Sequence, residues 1–209
     1  MTDMPVSSFP RTERTTVHRL PKRATYDRAA VEAILDEGLV AHIGFAGTDG
    51  TPVVLPTAYA RLGDKVIVHG SSVGHFMTTL AEGVPLCLTV TLLDGLVLAR
   101  SAFHHSMNYR SVTVFGTARV IEGHEAKLEA LRGLTERLTP GRWDQLRPVT
   151  VKEVAITTVL ELPLTEAVAK FRAGPPVDDA EDMGWPVFAG VVPLKLTAGE
   201  PVPDPTPAA

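Results

Sequence analysis

Glycine turn signals recur down this chain at short spacing, and they limit its fold more than any other feature does. Asp49-Gly50, Gly63-Asp64, Asp94-Gly95 and Glu122-Gly123 each interrupt or close a short apolar run. An Asp-Gly pair between apolar runs favours a tight hairpin, because glycine takes the left-handed backbone such turns need. The runs at 40–45, 51–60, 65–69, 86–93, 96–102 and 112–121 carry many valines, isoleucines and threonines. Side chains branched at Cβ fit a pleated surface. Each run is therefore expected to be a strand, paired antiparallel to its neighbour, with 154–162 and 167–171 as the last two. The pair Asp94-Gly95 is read as a turn between the fourth and fifth of these strands.

Helices fill the remaining intervals. Asp27 is placed to cap a short helix whose buried stripe is Val31, Ile34 and Leu35, with Gly38 ending it. Ser71 or Ser72 is expected to cap a second helix running to about Glu82, with Phe76, Met77 and Leu80 facing inward. Leu128, Leu131, Leu134 and Leu138 recur at helical spacing across 124–138, and Thr150 opens one more short turn. The expected fold class is mainly β, a β-barrel with flanking helices. Residues 1–22 are read as a flexible N-terminal arm, 23–194 as the barrel domain and 195–209 as a disordered Pro/Ala-rich tail. No strand leads through a GxGxxG turn into a helix, which disfavours a doubly wound dinucleotide fold.

Composition narrows the function classes. A formal net charge of −4 argues against broad nucleic-acid binding, which needs a basic face. The single cysteine, Cys87, lies inside an apolar run and can build neither a disulfide framework nor a structural zinc site. The amino-terminal stretch has no apolar core of the secretory kind, and no window is long and apolar enough to cross a membrane. A cytoplasmic protein with no membrane or nucleic-acid partner is expected.

The chemistry concentrates in 99–116, ARSAFHHSMNYRSVTVFG, between two apolar runs. Arg100 and Arg110 each stand beside a strand-like run with a serine next to them, and their planar guanidinium forks match a phosphate bidentately. For either arginine alone, an ion pair within the chain is the competing reading. Asn108 and Tyr109 offer an amide and a phenol to the edge of a heterocycle. His104 and His105 are adjacent, so on a strand they point to opposite faces and do not readily share one metal ion. Upstream, His69-Gly70-Ser71-Ser72 leads from a strand toward a helix start, where backbone N–H groups and hydroxyls can meet an anion. Trp185, in a proline-flanked loop, can cover a planar ring or pack on its own body. No hydrolytic motif of the GxSxG or HExxH kind is present. The residues alone point to a small-molecule site with phosphate affinity, and no metal site is expected.

Three segments carry a resemblance: GLVAHIGFAGTDGTPVVLPTAYA, VHGSSVGHF and GLVLARSAFHHSMNYRSVTVFGTARV. They are similar to the flavin-binding pyridoxamine 5′-phosphate oxidase-like proteins, and most to the branch that includes the nitroimidazole-resistance proteins. The resemblance runs from about Tyr26 to Leu194. It implies a six-stranded antiparallel split β-barrel of the FMN-binding type, assembled as a homodimer with the cofactor at the subunit interface. By position, Pro56, Thr57 and Ala58 would follow the isoalloxazine edge, while His69, Gly70, Ser71 and Ser72 would line the ribityl-phosphate side. Asn108, Tyr109, Arg110 and Ser111 would complete the pocket near Arg100. Lys170, Arg172 and Trp185 would come from the C-terminal region, in one version from the second subunit.

The chain also departs from the vitamin B6 oxidases. Gly74-His75 stands where a lysine would be expected, and the end PPVDDAEDMGWPVFAG is acidic where those oxidases carry a basic substrate signature. True vitamin B6 oxidation is therefore not expected. The resemblance implies instead an FMN-dependent oxidoreductase that takes hydride from a reduced nicotinamide and passes electrons to a small nitroaromatic or quinone-like acceptor. The alternative is a non-catalytic protein that binds or senses a flavin, a haem or a deazaflavin on the same barrel, with His69, His104 or His105 as the haem ligand.

Overall fold

A computed structural model describes residues 7–205. The first six residues of the expected arm and the last four of the expected tail lie outside the described residues. The fold is mainly β, built from antiparallel strands with helices beside them, as the turn signals require. The architecture matches the expected split barrel and is not closed; where six strands were expected, the described residues form eleven in two sheets, of seven and four strands.

In chain order these are β1 (Ala24–Thr25), α1 (Arg28–Glu37), β2 (Val40–Ala46), β3 (Pro52–Ala58), β4 (Ala60–Leu62), β5 (Lys65–Ser71) and α2 (His75–Ala81). There follow β6 (Pro85–Leu98), β7 (Ser106–Thr117), β8 (Arg119–Val120), α3 (His124–Leu138) and α4 (Val151–Ala155). The series ends with β9 (Thr157–Pro163), β10 (Ala167–Arg172) and β11 (Gly190–Pro193). The large sheet runs β1-β10-β7-β6-β2-β3 with β11 added to β6, and the small one runs β4-β5-β9-β8. No helix among the described residues is long and apolar enough to cross a membrane.

The chain groups into two compact bodies. One comprises the chain up to Leu92 together with Arg110–Arg172, and the other Leu93–Tyr109 together with the chain from Ala173 onward.

The first body holds the apolar core. On β2 burial alternates, with Ala41, Ile43 and Phe45 inside, as a strand with one covered face demands. These residues meet Val31, Ile34 and Leu35 of α1, Leu86, Leu88 and Val90 of β6, and Val112 and Val114 of β7. Val66, Ile67 and Val68 of β5 are buried in succession because the strand is covered on both faces. Val66 and Val68 join the main core, while Ile67 joins a second cluster with Ala60, Val159, and Ala130 and Leu134 of α3. Fully burying one such side chain contributes about 1.5–3 kcal/mol.

The expected hairpin at 46–50 is present: Gly47 N–H bonds Thr51 O at 2.8 Å, and Gly50 has φ +80°. Gly63, at φ +60°, likewise turns β4 into β5. The expected meander is cut, however, because β3 and β4 belong to different sheets. Tyr59 sits at the change of sheet, fully buried, and its hydroxyl donates to Leu35 O at 2.6 Å. Burial raises its phenol above the usual range. Arg137 of α3 donates to Gly38 O at 3.0 Å, so two side chains satisfy carbonyls at the C-terminal end of α1. Before α1, Phe9 is buried in the core, and Thr12 and Arg14 both bond the Glu166 carboxylate. α2 is shorter than expected, capped by Gly74 and not by Ser71 or Ser72.

In the second body β6 passes straight through Asp94-Gly95, where a turn was expected. Its residues Gly95–Leu98 pair with Pro193–Gly190 of β11. A Cβ on Gly95 would lie 3.0 Å from both Val191 Cγ1 and Val192 O. Glycine is needed there for the close approach of a neighbouring strand rather than for a reversal.

Candidate cofactor-binding residues

Eleven of the candidate residues belong to the first body. Pro56, Thr57 and Ala58 lie on β3, opposite His42, Ala41 and Val40 of β2. β3 ends its sheet, a place where proline's missing N–H leaves no gap in a ladder. Thr57 Oγ1 donates to Ala58 O at 3.2 Å.

His69, Gly70 and Ser71 close β5 opposite Val159, Thr158 and Thr157 of β9, and Ser72 follows. The N–H groups of this turn are already used. Ser72 N–H bonds Ile156 O at 3.0 Å, Gly74 N–H bonds Ser71 O at 3.0 Å, and Val73 N–H reaches Ser71 Oγ at 3.4 Å. What remains for a ligand is the hydroxyls and the His69 ring. Desolvation by the surrounding protein holds that imidazole below its ordinary value and so favours the neutral form, although part of the residue reaches solvent. A Cβ on Gly70 would come within 2.7 Å of Met77 Cγ, so the start of α2 packs directly on this strand end.

On β7, Arg110 grips Glu37 of α1 through both terminal nitrogens, with Nη2 to Oε1 at 2.8 Å. Ser111 Oγ donates to Lys170 O at 3.2 Å, which ties β7 to β10. Lys170 Nζ donates to Arg19 O at 3.2 Å, so the segment before β1 lies against this lysine. Arg172, at the end of β10, is buried.

Arg100, Asn108, Tyr109 and Trp185 belong to the second body. Both the backbone N–H and Nη1 of Arg100 bond Asp178, each at 2.8 Å, and the Asp178 side chain is 1% exposed. Burial raises the Asp178 carboxyl, but the Arg100 N–H and guanidinium outweigh it and hold the group below the usual range. Arg100 Nε and Ser101 Oγ are buried and make no hydrogen bond. Buried polar groups nearly always find a partner, so these two orphans mark a place suited to a ligand acceptor or an ordered water. Asn108 is buried and donates to Gly174 O at 3.1 Å. Trp185 is 65% exposed.

The two histidines differ sharply. His104 Nε2 stands 3.0 Å from Asp179 Oδ2, and its ring meets Phe103 edge-on at 5.1 Å. The Asp179 carboxylate raises its pKa and favours the imidazolium. His105 Nδ1 stands 2.9 Å from Ser101 O.

Sequence reasoning missed the acids that engage these cations: Glu37, Asp178 and Asp179. The signal available was the acidic run 178–182, since such a run so near an arginine- and histidine-rich one invites pairing. Among the described residues, no group of three His, Cys, Asp or Glu is placed to hold a metal ion. A cavity of about 350 Å³ in the first body, lined by Leu128, Trp143, Leu146, Arg147 and Val149, contains none of the candidate residues.

A family model described as pyridoxamine 5′-phosphate oxidase matches residues 27–171. The structure of the flavocytochrome Anf3 from Azotobacter vinelandii is similar at 45% identity and a TM-score of 0.87, over 93% of this chain and 90% of that one. A protein from Mycobacterium smegmatis described as binding FAD and haem is similar at 40% identity and a TM-score of 0.85, over 90% of this chain and 91% of its own. A 5-nitroimidazole antibiotic resistance protein from Bacteroides thetaiotaomicron, at 22% identity and a TM-score of 0.60 over 70% of this chain and 85% of its own, shares the fold. No curated protein matches the chain.

Proposed function

Because the chain belongs to the pyridoxamine 5′-phosphate oxidase family, we propose that it is a redox protein that binds a flavin and a haem. The observation that carries this reading is the likeness, at 45% and 40% identity over nine-tenths or more of the chain, to a flavocytochrome and to a protein that binds FAD and haem. The flavin is taken as FAD on the same ground, although the sequence resemblance pointed to FMN. When bound, the flavin supplies hydride and single-electron chemistry, and the haem supplies one-electron chemistry.

The chain's own residues support the reading at several points. The β3 edge at Pro56–Ala58 offers backbone groups with no strand beyond it. Ser71 and Ser72 offer hydroxyls, and the neutral form of His69 can either donate or accept. Arg110 on β7 is held in one orientation by the Glu37 carboxylate, which offsets its charge. Within the second body, the orphaned Arg100 Nε and Ser101 Oγ suit a carboxylate or phosphate.

The electron source in this proposal is a reduced nicotinamide and the acceptor a small molecule. The assembly is a homodimer with cofactor at its interface, in the cytoplasm. The exposed apolar side chains of Val54 and Leu55 on β3 support the dimer, since an edge strand of this kind invites a partner.

The test is the absorption spectrum of the purified protein, followed by heat release and mass identification of the chromophores. Flavin bands together with a Soret band, and FAD in the released fraction, are expected. Released FMN would correct the flavin alone. A colourless protein that takes up neither FAD, FMN nor haemin would overturn the reading.

A further inference from the structure

The chain has seven histidines, and among the described residues only two have a ring nitrogen in a hydrogen bond. That difference sorts the three candidate haem ligands. A carbonyl oxygen can only accept, so the 2.9 Å contact between His105 Nδ1 and Ser101 O requires the proton on Nδ1. In the neutral ring the lone pair then sits on Nε2, and the bond to Ser101 fixes the plane of the ring. A histidine that ligates a metal nearly always donates its other N–H in this way, commonly to a backbone carbonyl.

His104 is arranged in the opposite sense. The Asp179 carboxylate accepts from Nε2 at 3.0 Å, so that nitrogen is occupied. His69 has no hydrogen bond to fix its tautomer or its plane.

The surroundings of His105 also suit an apolar macrocycle. His105 (φ −57°, ψ 140°) is exposed and immediately precedes β7, on which Met107 faces outward and Asn108 inward. Met107 is exposed, and Phe103, two residues before His105, is 88% exposed. Exposed apolar side chains two residues to either side of a histidine offer apolar surface to a ligand that it binds.

We infer that His105 is the axial ligand of the haem, binding iron through Nε2, with Ser101 O as the group that orients it. The inference rests on the haem half of the proposed function, and it assigns the ligand that the family likeness leaves open.

The test uses the full-length protein reconstituted with haemin, comparing wild type with His105→Ala, His104→Ala and His69→Ala by absorption and ferric EPR spectroscopy. The expected result is a ligated Soret band in wild type, His104→Ala and His69→Ala. In His105→Ala the band should be lost or shifted to that of iron without a protein ligand, and added imidazole should restore it. His105→Met, which offers a different axial atom, should give a spectrum unlike either. Retained flavin binding and an unchanged circular dichroism spectrum show that each variant is folded. If wild type binds haemin and folded His105→Ala gives the wild-type spectrum, the assignment of His105 falls and the haem reading stands. If wild type binds no haemin, the haem reading itself falls, and His105 with it.

Discussion

The two bodies of this molecule bury their apolar residues very differently. In the first, Leu35, Ile43, Leu88 and Leu160 are essentially fully covered and join one continuous core. In the second, Val97 and Ala99 are covered, while Phe103, Met107, Trp185 and Phe188 face outward. The second body is held instead by the β6–β11 ladder and by polar ties, Arg100 to Asp178, His104 to Asp179 and Asn108 to Gly174. A sheet with a covered face stabilises itself by removing apolar area from water. A segment that leaves its aromatic rings exposed forgoes that stabilisation unless a ligand or another chain covers them. The continuous apolar core lies in the first body, while much of the uncovered aromatic surface lies in the second.

Substitutions can break that contrast. The largest loss is expected for Leu35→Ala or Ile43→Ala, about 2–5 kcal/mol in denaturant unfolding, from lost transfer energy plus the cavity left behind. A loss below ~1 kcal/mol would mean that this core is far looser than its burial indicates. Next comes Gly38→Ala. The new methyl would lie 2.4 Å from Val90 Cγ1 and 2.7 Å from Tyr59 Oη, and such overpacking costs about 1–3 kcal/mol.

Electrostatic changes in the second body should be smaller and should depend on pH. The Asp178 carboxyl is held below its ordinary 3.8, so its stabilisation is present above that pH and disappears as pH falls through the lowered value. The stability gap between wild type and Asp178→Asn, read by thermal unfolding, should therefore be wide at neutral pH and close in acid. For His104 the sign reverses. Its pKa is raised above 6.5, so stabilisation is complete below 6.5 and is lost as pH rises through the raised value. The gap between wild type and Asp179→Asn should close on the alkaline side. The smallest effect is expected for Trp185→Ala without cofactor, within ~0.5 kcal/mol, because the ring is exposed. A large loss there would show that the second body is packed after all.

Much of the fold was legible because local rules and tertiary structure agree. Gly50 and Gly63 sit where a left-handed backbone is needed, Asp27 caps α1 through a 2.8 Å bond to Ala30 N–H, and Thr150 forms a capping box with Glu153. Each of these depends on atoms within a few residues. Asp94-Gly95 misled because the same pair serves two physical ends, a reversal of the chain or the close passage of a distant strand. Only the arrival of β11, about 100 residues later, selects the second. The change of sheet at Tyr59 was hidden likewise, since nothing local shows that its hydroxyl reaches Leu35 O.

The candidate site divides along the same line. Sequence alone picked out Arg100, Arg110, His104 and His105 as a dense polar run and limited their chemistry, because residue type fixes charge, donor count and pKa range. It could not assign partners. Arg110 meets Glu37 and Arg100 meets Asp178 across separations of 73 and 78 residues. Two adjacent imidazoles, identical in sequence terms, meet different partners, the Asp179 carboxylate at His104 Nε2 and the Ser101 carbonyl at His105 Nδ1. Residue type and short-range spacing determined the strands, the caps and the menu of possible chemistry. Which carboxylate or carbonyl reaches each ring nitrogen was decided by tertiary structure, because a hydrogen bond depends on position within a few ångströms, and only the folded chain sets that.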